Sequence, residues 1–168
     1  EVGVRRVGGG SQVFVRQRKL AEARAAYEQQ LTQRPNDVGT LTMIGMILLN
    51  EGKLAEARRH FEKAVAVDPR AAVALNNLAY FDAEAGTNLD VALTRVQTAK
   101  SILPDEPDVD DTLGWVYVKK GLPALAIAPL EQAIQRDPKN AVYHYHLGMA
   151  HKNNGDAVRA RPALQKAL

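Results

Sequence analysis

The chain has 168 residues, 46% of them apolar and 24% charged, which is the usage of a folded globular chain and excludes wholesale disorder. Cysteine is absent, so disulfides, thiolate metal sites and a cysteine nucleophile are excluded, while cytoplasm and periplasm both stay open as compartments. Residues 1–35 hold seven Lys/Arg against three Asp/Glu and the remainder fifteen against sixteen, so the net +3 is an N-terminal excess rather than the evenly basic surface of a nucleic-acid binder.

Glu1 is not an initiator methionine and no signal-like stretch follows it, so the chain reads as a segment of a longer product. Near this end, Val7-Gly8-Gly9-Gly10-Ser11 disfavours helix. The composition predicts a mobile or degenerate arm over residues 1–18, with the first helix at 19–33. Pro35 closes that segment.

The next helices are expected at 38–51 and 54–67, separated by Gly52 and closed by Asp68-Pro69. The longest apolar run, Leu41–Leu49, is interrupted by Thr42 and Gly45 and is about half the ~20 residues a membrane helix needs. Insertion into a membrane is not expected. Further pairs follow at 72–85 and 89–103, at 109–120 and 123–136, and at 141–153 and 156–168. Pro129 and Pro162 fall inside two of these helices, where each removes a backbone bond and predicts a bend.

These elements recur with a period. Pro35, Pro69, Pro104 and Pro138 are spaced by 34, 35 and 34 residues. Between them return Ile44-Gly45, Leu78-Ala79, Leu113-Gly114 and Leu147-Gly148, each followed seven residues later by Gly52, Gly86, Gly121 or Gly155. An alanine then recurs at Ala23, Ala57, Ala92, Ala126 and Ala160. Four residues on stands a larger apolar residue, Tyr27, Phe61, Val96, Leu130 or Leu164. The small residues let paired helices approach closely, and the glycines end the first helix of each pair at no steric cost. The one longer interval carries an extra residue within Thr87-Asn88-Leu89-Asp90-Val91, which predicts a longer turn there.

The pattern resembles the tetratricopeptide repeat, a 34-residue helix–turn–helix unit, over residues 19–168. The resemblance implies an all-α, right-handed superhelical solenoid of antiparallel helix pairs. Its parts are a half repeat at 19–37 and repeats at 38–71, 72–106, 107–140 and 141–168. It also implies a non-catalytic scaffold that binds a peptide or protein segment on a concave surface lined by the first helix of each repeat, with no cofactor. The matching positions are Thr42, Met46 and Asn50; Asn76, Tyr80 and Glu84; Asp108, Asp111, Trp115 and Lys119; and Tyr145, Met149 and Asn153. Tyr80, Trp115 and Tyr145 thereby fall at similar heights on successive helices, and aromatics and Met bring large contact area at modest entropic cost. Packing between helices is the competing role for Trp115.

Some relatives clamp chaperone C-terminal carboxylates with Lys, Asn and Arg. Asn77 matches one member, but Thr42, Met43, Asp108, Asp111 and Thr112 replace the rest, so that clamp is not expected. The stretches at 75–86, 111–121 and 143–156 look like repeats of bacterial proteins linked to exopolysaccharide export and exosortase systems, which implies an envelope setting. A recruiting domain of a larger enzyme is a further alternative.

No catalytic constellation is evident. His144, His146 and His151 lack the i, i+4 spacing of a zinc-binding helix, so they read as structural or groove-lining, with no metal. Asp-Glu-Pro-Asp-Val-Asp-Asp at 105–111 reads as a solvated helix start, with a calcium or basic-partner site as the alternative. On the last helix, Ala160, Ala163, Leu164, Ala167 and Leu168 have no following helix to cover them. A self-associating module, most simply a two-fold dimer through that face, is therefore also expected.

Overall fold

The computed structural model describes residues 7–168, with side chains from Arg18 onward, and every regular element among them is an α-helix. Nine helices follow in order: α1 Val7–Gln33, α2 Val38–Asn50, α3 Leu54–Val67, α4 Ala72–Ala85, α5 Leu89–Ile102, α6 Pro107–Lys119, α7 Pro123–Arg136, α8 Ala141–Asn153 and α9 Ala157–Lys166. From α2 onward their ends fall within two residues of the expected ones, because the glycines and prolines that set the period also stop the helices. The chain divides into two compact units, Glu1–Pro69 and Arg70–Leu168, with the division at a repeat-closing proline.

α1 differs from expectation. It begins at Val7 and runs through Gly8–Gly10 for 27 residues. Extending a helix already formed at 19–33 costs much less than nucleating one, which lets the glycines follow it despite their propensity. Residues 1–6 of the expected arm lie outside the described residues. In this unit α1 packs on α2 and α2 on α3. Arg24 of α1 reaches Glu51 at 3.1 Å.

In the second unit α4–α5, α6–α7 and α8–α9 form antiparallel pairs joined by three-residue turns, and four residues link each pair to the next. Each first helix has its small residue where the partner helix crosses. A Cβ on Gly114 would lie 2.4 Å from Leu130 Cγ, and one on Gly148 would lie 2.6 Å from Leu164. In the first unit Gly45 stands in the same relation to Phe61, at 2.6 Å. Phe61, Ala92, Val96, Ala126, Leu130 and Ala133 are fully buried, so the alanines and bulkier residues of the period are the core.

The extra residue of the 35-residue interval lies after Gly86, but the expected longer turn does not form: the turn has three residues like the others, and α4 instead has 14 residues against 13 in α2, α6 and α8. Gly86 takes φ 65°, and Asn88 takes φ 51°, the single non-glycine residue with positive φ among those described. Asparagine tolerates that region better than most side chains, so the insertion is absorbed without disturbing α5. Helices α7 and α9 run on through Pro129 and Pro162. The burial of Leu130, Ala133 and Ala163 next to them offsets the lost backbone bonds.

Candidate partner-binding groove

The first helices of the repeats, α4, α6 and α8, pack side by side in the second unit. Their groove-facing positions meet there. Thr42, Met46 and Asn50 are on α2 of the first unit, where the Thr42 hydroxyl donates to Val38 O at 2.8 Å and Asn50 Nδ2 to Met46 O at 2.9 Å.

Trp115 of α6 is at the centre of the second unit's strip. Its indole N–H donates to Glu84 of α4 at 2.5 Å, and its ring stacks on His146 of α8 with centroids 4.1 Å apart. Tyr145 lies 6.1 Å from the same ring, and the Lys119 ammonium sits 4.8 Å from its centroid. Only 5% of Trp115 is exposed, so the indole packs between α4 and α8 and offers little of its surface to solvent. Glu84, Asp108, Lys119, Tyr145 and Asn153 are exposed, whereas Asn76, Tyr80 and Met149 are half-buried. The Asn76 Oδ1 atom is buried without a hydrogen-bond partner.

The helix start at 105–111 is not simply solvated. Asp110 is fully buried, with Lys100 at 2.5 Å on one oxygen and Arg136 at 2.6 Å on the other. Arg136 also reaches Asp105 at 2.6 Å. Asp111 is buried and lies 2.8 and 2.9 Å from His146 Nδ1 through its two oxygens. The Tyr143 hydroxyl donates to Asp108. Asp110 and Asp111 therefore serve packed helices, which corrects the reading of a wet helix start at these two positions, while Asp105, Glu106 and Asp108 are exposed. Among the described residues no group of three or more His, Asp and Glu is placed to hold a metal.

Burial pushes the Asp111 carboxyl up, opposed by the hydrogen bond from His146. Burial and then the Glu84 and Asp111 charges push the Tyr80 phenol up to about 12. Tyr143 is raised by burial and by its bond to Asp108. A phenol whose folded pKa exceeds its unfolded value, near 10, stabilises the fold below that value and ceases to do so as pH rises through the folded one. Thermal unfolding between pH 9 and 12 should accordingly show a midpoint that falls from about pH 10 upward. Tyr80→Phe should flatten that fall, and an equally steep fall in the variant would refute the assignment.

His146 was read from sequence only as a structural or groove-lining histidine. It stands one place beyond the repeat equivalent of Asp111, and that offset was the available signal for the pair.

Tetratricopeptide repeat models match residues 39–71 and 112–168. The chain belongs to the tetratricopeptide repeat family. It is 32% identical over 123 residues to a TPR repeat-containing protein of Pseudomonas aeruginosa, covering 73% of this chain and 21% of that one. It is 26% identical over 159 residues to cellulose synthase operon protein C of Komagataeibacter xylinus, covering 88% of this chain and 12% of that one. The chain thus spans only about a fifth and an eighth of the length of these two relatives. Among solved structures, MamA residues 41 to the end from Desulfovibrio magneticus superposes with a TM-score of 0.70 at 22% identity, over 95% of this chain and 89% of that one. YrrB, described as a TPR protein with an unusual peptide-binding site, gives 0.67 at 18% identity, over 93% and 80%. At these identities the superpositions show the fold. Tetratricopeptide repeats serve as scaffolds for protein interaction, and that is the functional class of this chain.

Proposed function

We infer that this repeat domain is a non-catalytic scaffold that binds an extended or helical protein segment along α4, α6 and α8. One observation supports this above the others: Tyr80 and Tyr145 flank the stacked Trp115 and His146 there, with Met149 one turn beyond Tyr145 on α8 and the exposed Glu84, Asp108 and Lys119 on the same strip. Large, rigid contact groups rimmed by polar ones are what peptide grooves use. Glu84 and Asp108 outnumber Lys119 as exposed charges on this strip. Neutral or basic segments should therefore bind better than acidic ones, and less tightly as salt rises.

Trp115 is the single tryptophan of the chain, so its emission reports on the groove alone. Titration with basic, neutral and acidic synthetic peptides should shift that emission with basic or neutral members. Met149→Ala should weaken the tightest of them by about 1–2 kcal/mol with helicity unchanged. Trp115→Ala is a poor test, because truncating a buried indole costs the fold about 3–5 kcal/mol. A stronger response to acidic peptides, or an unaltered affinity in Met149→Ala, would defeat the reading.

Self-association through α9 is the alternative reading of the same scaffold. Sedimentation across a concentration series distinguishes it. A recruiting role within a longer enzyme, or within an envelope or exopolysaccharide export protein, is supported by the similarity to cellulose synthase operon protein C alone.

A further inference from the structure

Helices α4, α6 and α8 carry one further row of equivalent positions along the edge of the groove. Val73, Asp108 and Val142 are each the second residue of their helix, and all three are exposed. Val73 and Asp108 stay exposed although α6 packs beyond α4 and α8 beyond α6, so the exposure belongs to the position. The edge thus reads valine, aspartate, valine.

Its middle is the anionic place. Asp105 and Asp110 are held by Arg136, and Asp110 by Lys100 as well. Asp108 and Glu106, both exposed, have no cation in ion-pair range among the described residues. The Tyr143 hydroxyl donates to Asp108 Oδ1 and fixes that carboxylate. The ends differ, since Arg70 precedes Val73 and Lys139 accompanies Asp137 before Val142. One turn into the groove from Val73, Asn76 Oδ1 is buried without a hydrogen-bond partner, and a buried acceptor calls for a donor.

Helices packed side by side lie about 8–10 Å apart. A polyproline II segment advances about 9 Å per three-residue turn, so its residues i, i+3 and i+6 point one way at that spacing, and its N–H groups are free to donate. In a β-strand, residues i and i+3 point to opposite faces. An α-helix matches the spacing with residues i and i+7, but its backbone N–H groups are spent internally and leave Asn76 unsatisfied.

We propose that the groove takes a polyproline II segment whose residues i, i+3 and i+6 are apolar, basic and apolar, seated on Val73, Asp108 and Val142, with a backbone N–H donating to Asn76 Oδ1. This rests on the groove reading above and adds conformation, register and a central cation to it.

The test uses the whole chain and three labelled, end-blocked peptides, with binding read by fluorescence anisotropy at low salt. The first holds leucine, arginine and leucine at i, i+3 and i+6 in a proline-rich frame. The second exchanges the arginine with one of the leucines. The third sets leucine, arginine and leucine at i, i+7 and i+14 of an alanine-rich helix. The first should bind about tenfold more tightly than either of the others, and added salt should narrow its lead over the second. Asp108→Asn keeps the acceptor for Tyr143 and should bring the first two peptides within about twofold of each other. Val142→Ser should weaken the first peptide. Both positions are exposed, so circular dichroism should be unchanged. Preference for the helical peptide, or an undiminished lead of the first peptide in Asp108→Asn, would overturn the proposal. Equal binding of the first two peptides to the parent would also overturn it and leave the groove reading standing, whereas no binding by any of the three would remove both.

Discussion

Exchanging Lys100 and Arg136 together for methionine should destabilise the second unit by about 3–5 kcal/mol at neutral pH, the range for stranding a buried charge. Asp110 has no exposure, and its two oxygens are held by Lys100 at 2.5 Å and Arg136 at 2.6 Å. Methionine keeps most of the aliphatic stem, so the loss is electrostatic rather than volumetric. The two cations are themselves 26% and 34% exposed, which lets water soften the penalty and places the expected value at the lower end of the range. Asp110→Leu is the informative partner variant. It restores the residue found at the equivalent places, Leu41 and Leu75, both buried. The two cations it leaves are 26% and 34% exposed and keep Pro104 O and Asp105 as partners, so removing the one buried charge by Asp110→Leu should shift stability by no more than about 1 kcal/mol. Denaturant unfolding followed by circular dichroism measures both. A double methionine variant as stable as the parent would show that Asp110 does not depend on its cations.

That pair of variants marks the boundary of what the sequence made legible. The helices were readable because glycine, proline and small residues act locally, and their 34-residue recurrence multiplies a weak signal four times. The substitution of Asp110 and His144 for leucine at a core position was not. Acids early in a helix read locally as favourable to its dipole, and the residues that bury Asp110 are ten positions before it and 26 after. His144 similarly settles its Nε2 at 2.9 Å from Pro138 O. The groove residues were placed by period alone. Period cannot tell a side chain that faces a partner from one wedged between neighbouring helices, and Trp115 is large enough to span from Glu84 on α4 to His146 on α8. α1 departs from the reading for a different reason. A per-residue propensity argued against Gly8–Gly10, whereas a helix that already exists is extended at lower cost than propensity alone suggests.

The small residues of the period carry the other large expected effect. Gly114→Ala should cost about 1–3 kcal/mol through overpacking, although alanine is the better helix former by about 1 kcal/mol. The added Cβ would fall 2.4 Å from Leu130 Cγ and 2.8 Å from its Cδ2. Cγ is the branch point of a fully buried side chain, so no rotation of a free end relieves the contact. The repeat at 72–106 shows how the same crossing accommodates a methyl group: alanine stands at Ala79, and its partner position holds Val96 rather than leucine, both without exposure. Leu130→Val alone should lose about 1 kcal/mol by leaving a gap. Combined with Gly114→Ala it reproduces the Ala79–Val96 pair, and the double variant should be more stable than the sum of the two losses by about 1 kcal/mol or more. Urea unfolding of the four proteins gives this coupling directly. Losses that add to within about 0.5 kcal/mol would mean that the two sites do not share the space, and that helix spacing rather than side-chain fit holds α6 against α7.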